Sequence, residues 1–311
     1  MTTNATCYIK RHAGIVPGGD TEVKNYLTAI EPDYKSLIDN PGLRRRMSHI
    51  IKMGVAAAQM CLQDDIRPEA IVTATGLGCV GDTEKFAAQI LSLGENLLNP
   101  SAFIQSTFNT IGAQIALLHK IEAYNMTYVH RALSFESALL DAMLLLDEGR
   151  HNILVGAIDE MYETPYTIER RMGLLRNITA GEGAHFFLLD SEPHEACATL
   201  LALETGSTPA PADQFVETLL QTRGLQAADI DLWLTGENGN TLHDKPFAAL
   251  DRLVAPTSRR LLYKKVCGEY PTATAAALDR AAREIAAGES RYALIYNHSQ
   301  KYHSVMLCGS L

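Results

Sequence analysis

The stretch that decides the fold is residues 125–160, NMTYVHRALSFESALLDAMLLLDEGRHNILVGAIDE. Its short β-rich run, Met126–Val129, leads through a turn into a helix of small and straight-chain residues, predicted at about Ser134–Asp147. Gly149 stands where a helix C-cap belongs, and the apolar strand Ile153–Ala157 follows it. In enzymes built this way, the turn between strand and helix holds a reactive side chain at the positive end of the helix dipole. Here that turn reads HRALS, so it offers no cysteine.

The composition excludes several classes of protein. The chain has 311 residues, 47% of them hydrophobic, which is enough for a large core. A net charge of −9 disfavours a nucleic-acid surface. No apolar run approaches the roughly 20 residues that a membrane helix needs, and the N-terminus, MTTNATCYIKRHAG, lacks the layout of a signal peptide. We therefore expect a cytoplasmic protein that binds neither nucleic acid nor a membrane.

The six cysteines are far apart in the sequence and form no CxxC pair. Most of them fall in or beside apolar runs, which is typical of buried free thiols in a reducing compartment. The same spacing argues against zinc and iron–sulfur sites. The sequence thus predicts no metal and no cofactor.

The sequence contains an internal repeat. One pair of matching segments is ESALLDAMLLLDEGRHNILVGA, from Glu136, and TATAAALDRAAREIAAGESRYALIYN, from Thr272. In both, a small-residue helix with Leu-Asp ends at a glycine before a strand. A second pair lies upstream: AIVTATGLGCVGDTEKFAAQI, from Ala70, and DLWLTGENGNTLHDKPFAAL, from Asp231. Each consists of a strand, Thr-Gly, a glycine-rich loop and a helix with Phe-Ala-Ala. Two matches in the same order predict a duplicated chain.

The duplication predicts the architecture. Strands that alternate with helices imply βαβ units and mostly parallel sheets covered by helices. We therefore expect an α/β fold of two similar halves, residues 1–190 and residues 191–311, in one compact unit related by a pseudo-twofold axis. The second half should open with a strand near Ala198–Glu204, followed by a Ser/Pro-rich loop.

A duplicated α/β chain with these loops resembles the thiolase superfamily, and within it the β-ketoacyl-ACP synthases (ketosynthases). Seven segments carry the resemblance in the right order: CYIKRHAGIVPGGD, RRRMSHIIKMGVAAAQMCLQDDI, IVTATGLGCVGDTEKF, NPSAFIQSTFNTIGAQIAL, ILVGAIDE, GEGA and FFLLD. The resemblance implies the thiolase-like fold, with two duplicated βαβ-type halves in a layered α/β/α/β/α arrangement. It also implies the activity of the family, which is acyl transfer by a 3-oxoacyl-ACP synthase.

The chain departs from the family at the catalytic positions. The family has a cysteine nucleophile where Ala132 falls here, or Leu133 with one residue of slip. Its first histidine, in H-G-T-G-T, corresponds to Gly236, or to Glu237 with one residue of slip. Its second histidine, in K-x-x-x-G-H, is replaced by Glu269, whereas the lysine of that motif is kept.

The kept lysine is Lys264, and no catalytic residue is expected at these positions. The family's F-G-G loop near the C-terminus is replaced by NHSQKYHS, which contains His298 and His303. The chain is also shorter than the family between Glu160 and Gly181, where ketosynthases have a long capping segment. A short cap should leave the pocket more open, or covered by a partner.

The resemblance also suggests an interface. Proteins of this fold dimerise through the strand before the nucleophile turn, here Met126–Val129, and the segment Phe103–Ile115 would line an acyl tunnel shared with a partner. The candidate residues for the acyl pocket and interface are Phe103, Phe108, Asn109, Ile111, Tyr128 and Leu133.

Three hypotheses follow from these residues. The leading one is a non-catalytic subunit, similar to a chain-length factor, that pairs with an active ketosynthase in fatty-acid, polyketide or aryl-polyene-type synthesis. The second is an acyltransferase with a relocated nucleophile at Cys79, Ser134 or Cys267, although Ser134 stands where a helix N-cap belongs. The third is a homodimeric scaffold that binds acyl carrier protein.

Overall fold

The computed structural model describes residues 6–18, 26–62, 66–94, 96–207 and 211–311. Within these residues ten strands form a single sheet in the order β3-β2-β4-β5-β1-β6-β10-β9-β7-β8. The strands of the first half are β1 (Cys7–Ile15), β2 (Ala70–Ala74), β3 (Tyr124–Tyr128), β4 (Ile153–Asp159) and β5 (Gly183–Asp190). Its helices are α1 (Tyr34–Leu37), α2 (Pro41–Arg46), α3 (His49–Leu62), α4 (Val80–Leu93), α5 (Pro100–Gln105), α6 (Thr110–His119), α7 (Ser134–Asp147) and α8 (Glu163–Arg171).

The second half repeats the strands of the first with fewer helices. Its strands are β6 (Ala198–Gly206), β7 (Leu232–Thr235), β8 (Arg259–Leu262), β9 (Tyr292–Ser299) and β10 (Tyr302–Gly309). Its helices are α9 (Ala212–Thr222), α10 (Tyr263–Cys267) and α11 (Thr274–Ala286), and the segment Lys245–Arg252 is a 3₁₀ helix. The helices α5 and α6 of the first half have no counterpart between Lys245–Arg252 and β8.

The strand order shows the duplication directly. From the outer edge of the sheet to its centre, the first half has the order β3-β2-β4-β5-β1 and the second half has β8-β7-β9-β10-β6. Numbered within each half, both orders are third, second, fourth, fifth and first strand. The three parallel strands of a half are joined to its fifth strand by antiparallel pairing. The two first strands then pair antiparallel at the centre, from Cys7 opposite Leu200 to Ile9 opposite Ala198. The division at residues 190 and 191 stays a prediction.

Alternating side chains on the strands divide the core into layers. In β4, Ile153 and Val155 face the central helices α7 and α11, whereas Leu154 faces the outer helix α3. In β9, Ala293 faces the same central layer and Leu294 faces the outer layer of the second half, where α9 packs. The five strands of each half form one layer of this continuous sheet, and α7 and α11 lie between the two layers. The order of layers is therefore helix, sheet, helix, sheet, helix.

Several predicted elements are confirmed. Helix α7 spans the predicted Ser134–Asp147, and β6 begins at the predicted Ala198. Gly149 and Gly288 both follow a helix with positive φ, which a residue without Cβ adopts at little cost. The predicted strand Met126–Val129 is observed as Tyr124–Tyr128, which begins two residues earlier and ends one residue earlier.

Parts of several segments used in the sequence analysis lie outside the described residues. These are residues 1–5 of the N-terminus, Gly19 and Asp20 in the predicted turn after the first strand, residues 63–65 in the second family segment, and residues 208–210 in the Ser/Pro-rich loop. Across the part of the chain that the structure describes, no helix has the length and apolar character needed to span a bilayer.

Candidate functional site

A cleft of about 590 Å³ opens where the carboxyl ends of the parallel strands meet. Loops after β2, β3, β4, β7 and β9 supply its walls, which is where α/β proteins usually bind ligands. Its apolar side is formed by Leu77, Met161, Leu174, Leu175, Ile178, Leu242, Tyr270 and Pro271. Its polar side is formed by Arg131, Glu169, Asn238, His243, Lys264, Glu269, His298, Ser299 and Gln300.

Ala132 lines this cleft in the turn between β3 and α7. The preceding residue, Arg131, has φ +51°, a conformation that is uncommon for a residue with a side chain. This turn therefore keeps the sharp geometry of a nucleophile-bearing turn, but presents a methyl group. Leu133, the alternative with one residue of slip, is buried and does not line the cleft.

The prediction that Ser134 is the N-cap of α7 is wrong. A 3₁₀ turn at Arg131–Leu133 extends the helical path backward, so Ser134 is already inside the helix. Its hydroxyl accepts a hydrogen bond from the His130 backbone N–H at 2.7 Å and donates one to the Arg131 carbonyl at 2.7 Å. The serine thus fixes the turn that precedes it.

The position of the first family histidine has no room for a side chain. A Cβ at Gly236 would lie 2.7 Å from both Asn297 Oδ1 and the Tyr263 hydroxyl. Gly236 does not line the cleft, and the alternative Glu237 is buried and ion-paired with Arg260. The loop after β7 instead reaches the cleft through Asn238, Leu242 and His243, none of which the sequence singled out.

Glu269, at the position of the second family histidine, is held by two donors. Lys264 Nζ lies 3.0 Å from the Glu269 carboxylate, and the Asn238 side-chain amide donates to Glu269 Oε2 at 2.8 Å. The Lys264 side chain is only 4% exposed, so its ammonium depends on this carboxylate for charge compensation. The two residues form an ion pair in the wall of the cleft.

His298 lies near the end of β9, and its side chain lines the cleft. Burial, together with the neighbouring His303, Lys264 and His243, lowers the pKa of His298 to about 4. It is therefore a neutral imidazole at neutral pH. His303 is buried behind it and bonded to the Tyr296 hydroxyl, so only His298 reaches the cleft.

The three proposed alternative nucleophiles are all buried. Cys79 and Cys267 are 1% and 4% exposed, and Ser134 is fully buried. Burial raises the pKa of both thiols to about 12, and the Lys264 charge does not overcome this at Cys267. Neither thiol is a thiolate at neutral pH, which nucleophilic attack requires.

The six predicted pocket and interface residues do not line the cleft. Phe103, Phe108 and Asn109 are exposed, and Tyr128 is half-buried on the edge strand. Ile111 is 2% exposed and packs beside Gly54 in the core, so in the single chain it reaches neither the cleft nor the surface. Their role against a partner stays a prediction.

The short segment between Glu160 and Gly181 still covers part of the cleft. After α8, Leu174, Leu175 and Ile178 stand on the apolar wall. Leu174 is 53% exposed, so this cover leaves apolar surface open to solvent.

Asp159, at the end of β4, fastens two loops of the cleft. Its Oδ1 accepts hydrogen bonds from the Thr75 hydroxyl and from the backbone N–H groups of Gly76 and Leu77. Its Oδ2 accepts from both the backbone N–H and the hydroxyl of Thr272, just before α11. One buried carboxyl therefore joins the loop after β2 in the first half to the start of α11 in the second half.

Comparison with known proteins assigns the family. A model of the beta-ketoacyl synthase N-terminal domain matches residues 32–205. The chain belongs to the beta-ketoacyl synthase family. A comparison with curated protein sequences finds no significant match. The match to the family model confirms the predicted thiolase-like fold of this ketosynthase-like chain.

Solved ketosynthase structures share the fold over the whole chain. A chain of "the ishigamide ketosynthase/chain length factor" is 16% identical with a TM-score of 0.78, covering 98% of this chain and 99% of its own. A chain of the AntDE:AntF complex, a type II PKS acyl-carrier protein with its ketosynthase, is 13% identical with a TM-score of 0.80, covering 99% and 100%. A chain of the ketosynthase ApeO with its chain length factor ApeC, from Xenorhabdus doucetiae, is 14% identical with a TM-score of 0.77, covering 99% and 98%. Identities this low establish the fold alone.

Proposed function

We propose that this chain is a non-catalytic ketosynthase-like subunit that pairs with an active beta-ketoacyl synthase in fatty-acid-type or polyketide-type synthesis. The observation that carries the proposal is the cleft itself. It keeps the architecture of a condensing site, while Ala132 and the Lys264–Glu269 ion pair occupy positions where the family has reactive side chains.

The chemistry of condensation explains why these replacements matter. An acyl group must be transferred to a nucleophile, and the alanine methyl cannot accept one. The negative charge that develops on an enolate must be stabilised by donors, whereas a Glu269 carboxylate in the cleft would oppose it. His298 is neutral and lies on β9 rather than on the loops of the two family motifs, so it does not restore the pair of family histidines.

The free edge of the sheet supports pairing. Among the strands of the described residues, β3 lies at the edge of the sheet and pairs with β2 alone, so its other side presents backbone groups that a second strand can bond. Met126 and Val129 on and beside it are 42% and 41% exposed. In the same half, Phe103 on α5 and Phe108 just after that helix are 56% and 49% exposed. Exposed aromatic side chains of this kind are typical of surface that a partner covers. The structural neighbours include complexes of a ketosynthase with a chain length factor, which supports pairing as such.

Coexpression with a ketosynthase from the same gene neighbourhood tests the proposal. We expect a stable heterodimer by size exclusion and native mass spectrometry, and binding of acyl carrier protein to that heterodimer. The double change Met126→Lys and Val129→Lys should abolish it, because two cations oppose burial of this edge. Val266→Lys is the matched control, since Val266 is 65% exposed on α10 in the other half.

Other outcomes separate the alternatives. A homodimer that takes up no ketosynthase, but binds acyl carrier protein saturably, would favour the scaffold over the proposed subunit. Incubation with an acyl thioester followed by intact mass measurement addresses catalysis. A covalent acyl adduct on Cys79, Ser134 or Cys267 would contradict the proposal.

A further inference from the structure

The central helix α7 leaves one stripe of its surface uncovered beside the edge strand β3. The stripe consists of Ser137, Leu140, Asp141, Leu144 and Asp147, which recur at helical spacing, whereas every other residue of the helix is buried. Leu144 is 38% exposed although it belongs to a helix between two layers of sheet. The stripe and the edge of β3 therefore form one surface that a partner at this edge would cover.

Asp141 is held at the middle of this surface by two tyrosines. The Tyr124 hydroxyl donates to Asp141 Oδ2 at 3.1 Å, and the Tyr128 hydroxyl is bonded to the same carboxylate. Tyr124 and Tyr128 are the first and last residues of β3, and Met126 lies midway between them on the same face of the strand. The carboxylate is therefore level with Met126, on the side of the sheet that α7 covers.

No cation of the described residues forms an ion pair with the Asp141 carboxylate. Arg150 stands 5.6 Å from the centre of the Tyr124 ring, and its attraction for Asp141 is opposed by the charge of Glu148. Partial burial already raises the pKa of Asp141, which shows that its charge is costly to remove from water. A partner that covers the surface increases this cost unless it brings a counter-charge.

Pairing with a second copy of this chain would bring two of these carboxylates together. A twofold dimer that uses the whole of β3 is antiparallel and centred on Met126, so Tyr124 of one copy lies opposite Tyr128 of the other. Because Asp141 is level with the centre of the strand, both copies of it approach the twofold axis. The two Arg150 side chains stay beside Tyr124, at the outer ends of the paired strands. Like charges in a surface that excludes water oppose association.

We propose that Asp141 selects the partner at this edge, because it disfavours a second copy of the chain and favours a subunit that presents a lysine or an arginine across from it. This inference rests on the proposed pairing through β3. The two tyrosine hydroxyls fix the carboxylate before the partner arrives, so the incoming cation meets an acceptor already in position. The chain then pairs with a ketosynthase of complementary charge at this point in preference to itself.

Self-association of the chain alone tests the repulsion. In sedimentation equilibrium at neutral pH, Asp141→Asn should lower the dissociation constant of the dimer about tenfold or more, or produce a dimer where the unaltered chain has none. The amide removes both like charges and still accepts hydrogen bonds from the tyrosines. Asp39→Asn, at an exposed aspartate before α2, is the matched control and should change nothing. Adding Met126→Lys to Asp141→Asn should abolish the dimer, because the gain arises at β3.

Charge reversal tests the preferred partner. Asp141→Lys should remain monomeric by itself, but should form a one-to-one dimer with the unaltered chain in native mass spectrometry. In coexpression with the ketosynthase, Asp141→Lys should weaken the heterodimer about tenfold or more, whereas Asp39→Lys should not. Circular dichroism checks that the variants fold.

Two results would overturn the inference. One is equal self-association of the unaltered chain and Asp141→Asn. The other is a heterodimer that the double change Met126→Lys and Val129→Lys abolishes but Asp141→Lys leaves intact, which would keep the proposed function and remove Asp141 from partner choice. Failure of the ketosynthase to bind the unaltered chain would instead contradict the proposed function, and the self-association results would still decide the role of Asp141.

Discussion

Lys264 Nζ lies 3.0 Å from the carboxylate of Glu269, in the wall of the cleft. The lysine is almost fully buried and the glutamate is 25% exposed. A buried ammonium without a counter-ion is costly, so the carboxylate at this position stabilises the lysine that the chain has kept.

Restoring the family histidine by Glu269→His should therefore destabilise the protein. We expect a loss of about 2–3 kcal/mol in the free energy of unfolding, since an imidazole cannot neutralise Lys264. Urea denaturation measures the loss. Glu122→His, at an exposed position, is the control and should change little. An unchanged stability of Glu269→His would show that the ion pair contributes nothing.

Gly236→Ala should also destabilise the chain. The added methyl would lie 2.7 Å from Asn297 Oδ1 and from the Tyr263 hydroxyl, so these groups must move, at a cost of roughly 1–3 kcal/mol. Thermal unfolding of this variant and of Gly42→Ala, at an exposed glycine of α2, makes the comparison. If both substitutions are equally tolerated, the space at Gly236 is not filled as described.

Ala132→Cys should create an accessible thiol without restoring condensation. Ala132 lines the cleft, so iodoacetamide should label the new cysteine in a Cys197→Ser background. Leu133→Cys, one residue later and buried, is the matched control and should stay unlabelled. Condensing activity should remain absent, because neither histidine returns. Labelling at residue 133 instead of 132 would place the nucleophile position one residue later.

Removal of a single charge at Asp159 should loosen the cleft. In Asp159→Asn an amide N–H would face the donors of Gly76 and Leu77 or those of Thr272, so hydrogen bonds on one side are lost. The expected cost is about 2–3 kcal/mol for a buried group left with unmatched partners. Hydrogen exchange should show faster opening at residues 75–77 and 272. Asp39→Asn, at an exposed position, should leave exchange unchanged.

Stability should decrease on the alkaline side because of His12. The Asp279 hydrogen bond raises its folded-state pKa to about 9, above the ordinary value of 6.5. The folded state then binds the proton more tightly, so this contribution is complete below pH 6.5 and is lost as the pH rises through about 9. His12→Gln should flatten the profile of unfolding free energy over that window. The exposed His194→Gln should not, and an equal effect of the two would contradict the assignment.

The sequence predicted the elements whose signals are local. The helix Ser134–Asp147, the terminating glycines Gly149 and Gly288, and the strand beginning at Ala198 follow from periodicity and backbone chemistry. The repeat predicted two similar halves, because each copy must bury the same apolar faces. The prediction that Ser134 is the N-cap of α7 was wrong, because the 3₁₀ turn at Arg131–Leu133 begins the helical path before Ser134. That turn carries no clear signal of its own in the sequence.

The composition of the cleft was only partly predictable. Counting along the family motifs placed Ala132, Lys264 and Glu269, and the structure brings these three to one cleft. Asn238 and the placement of His298 beside charged neighbours were not predictable, since they depend on how the loop after β7, helix α10 and strands β9 and β10 pack together in the second half.

The sequence by itself thus determined the α/β class, the duplication and the missing cysteine, because each depends on residue identity or spacing along the chain. Only the tertiary structure decided that Gly236 has no room for a side chain and that Glu269 compensates Lys264. The same holds for the contact of His12 with Asp279 across the two halves. Such distances arise when strands pair and helices pack, and residues remote in sequence carry no local signal of them.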